Sequence, residues 1–433
     1  MTKEQIKKAI CDAVDSIAGE IVSLGEETLA TPEFGYKETA ASERLKKRLA
    51  SMELPVEQYA RTGLKSTLQG GGSAANVALI GELDAVACFT HPHANKETGA
   101  AHACGHHVQQ AIAWGAFRAL QKSGVMPHLD GSVTFMATPA EEFVEMEFRG
   151  ALRERGEISW YGGKQQMILE GAFDDIDMAM MLHAHPDTPE AALNLDGDSL
   201  GFVAKTIDFY GKAAHGSKPF EGINALNAAM MGLMGVHANR EAFRDEDHIR
   251  IHPIITNGGS IVNSVPDHVR IETYIRGANA QAIADACEVV ERCMKGAAMS
   301  IGARVEITTD PGYLPLKQSE VMGRVMEANA IALWGEGSTH RGVPTTGSTD
   351  IGDLSQLIPC LQPTCGGFTG TLHGENFVVS DPKIAYIDGA KLLALTAADL
   401  LFDGAAAAKE VKASYTPAFT KESYLAFLDA QRG

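Results

Sequence analysis

The densest cluster of reactive side chains is Ala101-His-Ala-Cys104-Gly-His106-His107. Cysteine thiolate and imidazole are preferred ligands of zinc and its neighbours, and a Cys-x-His spacing lets both reach one ion across a glycine turn. A structural turn enclosing a buried thiol would use the same residues. Glu141-Glu142 is a second signal, at the end of an apolar run. Adjacent carboxylates there repel unless a cation compensates them. The pair suits a division of labour in which one binds metal and its neighbour takes a proton from water. The plainer reading is an exposed acidic turn running on to Glu145 and Glu147. His183-Ala-His185-Pro186 also follows an apolar run, and Thr371-Leu-His373-Gly-Glu375 lies in a loop after Gly366-Gly367. Each signal is weak alone. Together they offer Cys, His, Glu, His and His, enough for two divalent ions if one group bridges, with room for water and a carbonyl oxygen.

Positioning these residues is a task for strands and helices. Helical patterns cover roughly 3–29, ending before Pro32, then 39–49, and 107–123 with Ile112, Ala116 and Leu120 as one stripe. Short apolar runs at 77–83, 133–137 and 178–182 read as buried strands, delivering Asp84, Glu141-Glu142 and His183. Strands alternating with helices predict a helix-covered, mixed but largely parallel α/β sheet. Ligands of such sheets bind beyond the carboxyl ends of the strands. Near residue 200 the pattern changes to strand 203–210, helix 223–238, strands 249–255 and 269–276, helix 280–300 and strand 304–309. This β-α-β-β-α-β order predicts a ferredoxin-like α+β domain inserted in a larger one. The expected boundaries are 1–199 and 314–433 for the two parts of the catalytic domain, and 200–313 for the insert.

The chain has 433 residues, 45% hydrophobic and 21% charged, which favours two globular domains over disorder. Acidic residues outnumber basic ones 55 to 37, a formal charge of −18 that disfavours nucleic acid and anionic membrane as partners. No run of 18 apolar residues is present, and the opening MTKEQIKKAICDAVDSIAGE is amphipathic, without the apolar segment of a secretory signal. Seven scattered cysteines argue against a disulfide framework and for a reducing cytoplasm. His91 and His93 read as solvent-exposed.

In order along the chain, these stretches resemble the metal-dependent aminoacylase, hippurate hydrolase and carboxypeptidase G-like amidohydrolases. The resemblance runs from Thr31-Pro-Glu33-Phe-Gly through Gly81-Glu-Leu-Asp84-Ala, His-Ala-Cys-Gly-His, Pro-Ala-Glu-Glu and His-x-x-Pro to His373. Gly211-Lys-Ala-Ala-His215-Gly-Ser-Lys-Pro219 is similar to the family's lid-domain histidine loop. Gly259-Ser-Ile-Val-Asn263-Ser-Val-Pro266 and Arg276 are similar to its substrate-carboxylate segment. Gly347-Ser-Thr-Asp350-Ile-Gly-Asp353 looks most like the p-aminobenzoyl-glutamate hydrolase branch.

The resemblance implies that Cys104, His106, Glu142, His183 and His373 bind one or two divalent ions per subunit, zinc or manganese. It makes Glu141 the general base and Asp84 the group orienting a ligand imidazole. His183 is chosen over His185 because it stands three residues before Pro186. His215 would polarise the scissile carbonyl across a homodimer formed by the inserted domain, and Asn263 and Arg276 would bind substrate oxygens. The implied activity is hydrolysis of an amide C–N bond in an N-acyl amino acid or p-aminobenzoyl-glutamate-like small molecule.

One departure stands out. His107-Val108-Gln109-Gln110 follows Cys-Gly-His, where relatives carry Asp or Asn and then small or hydrophobic residues. It leaves room for His107 as a ligand and for hydrolytic deamination of a non-peptide C–N bond, such as that of an aromatic amine. An inactive metal-binding protein of the same fold is a further alternative, against which the intact Glu-Glu pair and ligand set argue.

Overall fold

A computed structural model of the chain describes residues 1–189, 192–195, 197, 199–342 and 347–432. They form two compact units. One comprises Met1–Asp198, Lys317–Thr345 and Asp353–Lys421; the other Ser199–Leu316, Thr346–Gly352 and Glu422–Gly433.

The first unit is built on a six-stranded sheet in the order Glu57–Tyr59, Gly63–Gln69, Ser132–Thr138, Asn76–Glu82, Met178–Met180, Cys360–Leu361. The last four are mutually parallel, while the first two run antiparallel at one side. The expected mixed, largely parallel α/β fold is observed. Asn76–Glu82 is buried along its whole length, as a central parallel strand is when both sides of its pleat are filled. The helix His106–Lys122 packs on this strand and on helices Ala18–Leu29 and Gly389–Ser414.

The single long helix expected over 3–29 is instead two, Lys3–Ser16 and Ala18–Leu29. Ile17, at φ −116° and ψ 13°, leaves the helical region. The break lets Ile6, Ile10 and Val14 on one helix, and Ile21 and Leu24 on the next, all enter one core. A packing gain of about 0.8 kcal/mol per buried methylene outweighs the interrupted hydrogen bonds. The apolar run 178–182 is likewise split. Met178–Met180 stays in the main sheet, and His183–Ala184 joins a smaller sheet by pairing in parallel with Thr364–Cys365.

The second unit contains a four-stranded antiparallel sheet in the order Arg250–Asn257, His268–Gly277, Gly201–Tyr210, Arg304–Pro311. Helix Ala225–Ala238 is capped by the Asn224 side chain and Ala280–Ile301 by Asn279. Both pack on this sheet over Ile207, Phe209, Val269 and Ile271. The chain order is that of a ferredoxin-like fold.

Candidate metal centre

The parallel strands Asn76–Glu82 and Ser132–Thr138 end in register, Glu82 opposite Thr138. Each continues past the sheet edge into chemistry: Leu83-Asp84 from one, Pro139-Ala140-Glu141-Glu142 from the other. A third contribution comes from the start of helix His106–Lys122. Gly105 adopts φ 85°, a left-handed conformation that favours glycine, and so turns Cys104 and His106 toward the strand ends. The loop carrying His373 is tied back by its own N–H to the Ala103 carbonyl at 2.9 Å.

These elements bring the five candidate ligands together. Cys104, His106 and His183 offer donor atoms within 4.8 Å of one another, and so do Cys104, Glu142 and His373. Cys104 belongs to both groups. Its sulfur lies 3.6 Å from His183 Nε2, and His373 Nε2 lies 3.4 Å from Glu142 Oε1. Donors about 2.1 Å from one tetrahedral ion stand about 3.4 Å apart, and a sulfur and a nitrogen slightly more. The spacings fit a divalent cation. So do the tautomers: His106 Nδ1 donates to the Asp84 carbonyl at 2.9 Å and His183 Nδ1 to the Ala184 carbonyl at 2.8 Å, leaving both Nε2 atoms for coordination.

The electrostatics point the same way. Burial and the Glu142 charge oppose ionisation of Cys104, yet His106, His183 and His373 together pull its thiol down to about 6. Burial raises Glu142, but His373 and His106 outweigh it and hold the carboxyl at about 2. The carboxylate of Glu142 and the thiolate of Cys104 raise His373 to about 11. In place of these protons a metal would gather the same anionic donors.

Glu141 is buried, its Oε2 3.9 Å from His106 Nε2. Asp84 is fully buried and does two things: its carbonyl holds His106, and its Oδ2 accepts the Glu142 N–H at 2.9 Å. Two further carboxylates escaped the motif reading. Glu82, two residues before Asp84, pairs with buried Lys164 at 2.6 Å, and Glu38 accepts the Ala140 N–H. Period-two alternation from Asp84 could have flagged Glu82. No local signal marks Glu38.

The remaining candidates lie in the second unit. His215 is exposed, its Nδ1 accepting from Ser217, and its loop is bridged to that of Asn263 by the Gly216 N–H on the Asn263 carbonyl. Arg276 donates to Ser348 Oγ at 3.1 Å and lies over the Phe202 ring. His185 and His107 join none of the candidate metal groups among the described residues. His107 is buried beside His102, ring centroids 5.6 Å apart. His91 corrects the exposure expected of it: it is buried, bonded through Nε2 to the Phe377 carbonyl at 3.0 Å, while His93 is exposed.

The model of peptidase family M20/M25/M40 matches residues 78–399. The chain is 27% identical over 427 residues to the Xaa-Arg dipeptidase of Mus musculus, covering 92% of this chain and 90% of that one. It is 23% identical over 327 residues to the N-acyl-L-amino acid amidohydrolase of Geobacillus stearothermophilus, covering 73% and 81% respectively. Among solved structures it is similar to a dinuclear metal-binding peptidase of the M20 family from Bacillus subtilis, with a TM-score of 0.68, 20% identity, and coverage of 89% and 99%.

Proposed function

The chain belongs to peptidase family M20/M25/M40 and is a metallo-amidohydrolase, and on that premise we propose that it cleaves the amide bond of an N-acyl amino acid or p-aminobenzoyl-glutamate-like compound. The observation that carries the reading is Cys104 standing in two ligand groups at once, with Glu141 beside them. Cys104, His106, Glu142, His183 and His373 would hold the ions, zinc by the chemistry of the thiolate and imidazoles or manganese by that of the carboxylate. Such ions acidify water and polarise a carbonyl.

The chain's own residues do the rest. Glu141 accepts a proton from the attacking water on a carboxylate oxygen and passes it to the leaving nitrogen. Asp84 keeps His106 in its Nδ1–H tautomer. In the second unit, Arg276 is suited to a substrate carboxylate through its forked guanidinium, with Asn263 as a further donor. His215, supplied by the second copy in a homodimer, would donate to the carbonyl oxygen as charge develops there. No described helix is long and apolar enough to cross a membrane. All seven cysteines are unpaired, which accords with a reducing cytoplasm.

The test is amine release from N-acetyl amino acids, p-aminobenzoyl-glutamate and a dipeptide ending in arginine. Hydrolysis lost on chelation and restored by zinc or manganese is expected. Metal-replete protein that cleaves none of these amides would refute the reading.

A further inference from the structure

Glu82 is the last residue of the strand Asn76–Glu82 and is wholly buried. Its Oε1 accepts from the Lys164 ammonium at 2.6 Å, and Lys164 is wholly buried too. Its Oε2 stands 3.1 Å from His106 Nε2, yet neither atom makes a hydrogen bond. Buried polar atoms are seldom left this way, least of all two at contact distance. His106 Nδ1 is committed to the Asp84 carbonyl. With that nitrogen protonated, a lone pair on Nε2 and the Glu82 oxygen would repel at this distance unless a cation lay between them. Nitrogen and oxygen donors about 2.1 Å from one ion stand about 3.0 Å apart at right angles and about 3.4 Å apart at the tetrahedral angle. The observed 3.1 Å falls within that interval. His106, Glu82 and Glu141 also offer donor atoms within 4.8 Å of one another.

We propose that Glu82 is a further metal ligand, its Oε2 sharing an ion with His106 while Lys164 anchors Oε1. The proposal rests on the metal-centre reading above and deepens it. Lys164 explains how another carboxylate is tolerated beside Asp84, Glu141 and Glu142: the ammonium cancels its charge and fixes its plane.

The experiment compares the full chain with the double variant Glu82→Gln/Lys164→Met, which removes the ligand without leaving an unpaired buried ammonium. Zinc stoichiometry is read by elemental analysis, affinity by chelator competition, and folding of the metal-free forms by thermal melting. The expected result is a folded variant in which zinc affinity at one site is weakened by about tenfold or more. A folded variant with both affinities unchanged overturns the proposal and leaves the metal centre standing. Wild-type protein that binds no divalent ion overturns both. If the double variant fails to fold, Lys164→Met alone decides. Its metal-free form carries an uncompensated carboxylate, so zinc should raise its melting temperature more than it raises the wild type's. An equal shift counts against Glu82 as a ligand.

Discussion

The Glu38 carboxylate accepts the backbone N–H of Ala140 at 2.8 Å, although 102 residues separate them in sequence. Ala140 has φ 53°, a left-handed conformation that costs a non-glycine residue about 1–3 kcal/mol. It immediately precedes Glu141 and Glu142. Its carbonyl accepts the Gly163 N–H at 3.1 Å, and the Glu142 N–H is held by Asp84. Arg149 donates to the Glu142 and Tyr161 carbonyls. The turn carrying both carboxylates is thus fastened on each side, and the strain in Ala140 is maintained by its neighbours.

Removing that fastening should misplace the base. Glu38→Ala is expected to lower kcat about 100-fold, the scale associated with roughly ångström displacements. Glu38→Gln keeps an acceptor for Ala140 and a donor for Thr62 Oγ, which now donates to Glu38 Oε2 at 2.7 Å. It should recover most of the activity. Equal losses in the two variants would show that the hydrogen bond does not position the turn.

The same residue should leave a mark on stability against pH. Burial and the nearby Asp84 charge raise Glu38 from 4.5 to about 7. A carboxyl raised on folding binds more protons folded than unfolded between those values, so its contribution to stability falls as pH rises through that window. The loss amounts to about 3 kcal/mol at most. Glu38→Gln, which mimics the protonated form, should match wild type near pH 4.5 and be relatively more stable above pH 7. Parallel unfolding curves at both pH values would exclude Glu38 as the source.

Gly35 sets how closely two segments approach. A Cβ there would meet Arg149 Nη2 and lie 2.8 Å from the Ala140 Cα. The first obstacle is a flexible side chain, the second is backbone. Gly35→Ala should therefore destabilise by about 1–3 kcal/mol and displace the same turn. Denaturant midpoints together with kcat check this. A stable variant with ordinary turnover would mean that the turn adjusts freely.

Glu141 and Cys104 separate chemistry from coordination. Glu141→Gln should keep its metal and melting temperature while turnover falls by about 100- to 10,000-fold, the share of general base catalysis. Cys104→Ala should lose metal, because its sulfur belongs to both ligand groups. Metal-to-protein ratios measured beside kcat tell the two apart. Full metal content in Cys104→Ala would remove the thiol from the ligand set.

How much of this was legible in the sequence depended on locality. Cys104 and His106 share one turn, and Glu141 and Glu142 follow an apolar strand, so their convergence at one sheet edge follows from topology, whereas His183 arrives from the smaller sheet. Glu38 is different: its partner is more than a hundred residues away, and nothing nearby distinguishes it from a solvated helix-start glutamate. Lys164 reads as a surface lysine because lysines are seldom fully buried unless paired. Its pairing with Glu82 becomes visible only once the helix Gly163–Leu169 is folded. The break at Ile17 was hidden for a similar reason, since helical periodicity continues through it and tertiary packing decides.

His215 and Glu141 offer a test of the assembly. His215 is exposed in the second unit. That unit also exposes Ile254 and Ile255 on the outer strand Arg250–Asn257, and Met230, Met231 and Met234 on the helix Ala225–Ala238. In a twofold dimer that exchanges His215, a site uses Glu141 of one copy and His215 of the other. His215→Ala and Glu141→Gln should each be nearly inactive as pure proteins. Unfolded together and refolded as a mixture, they form heterodimers in which one site has both groups intact. Random pairing then restores about a quarter of wild-type activity. Histidine acting within its own chain predicts no recovery, because every copy lacks one of the two groups. Sedimentation of the wild type as a monomer would exclude exchange at the outset.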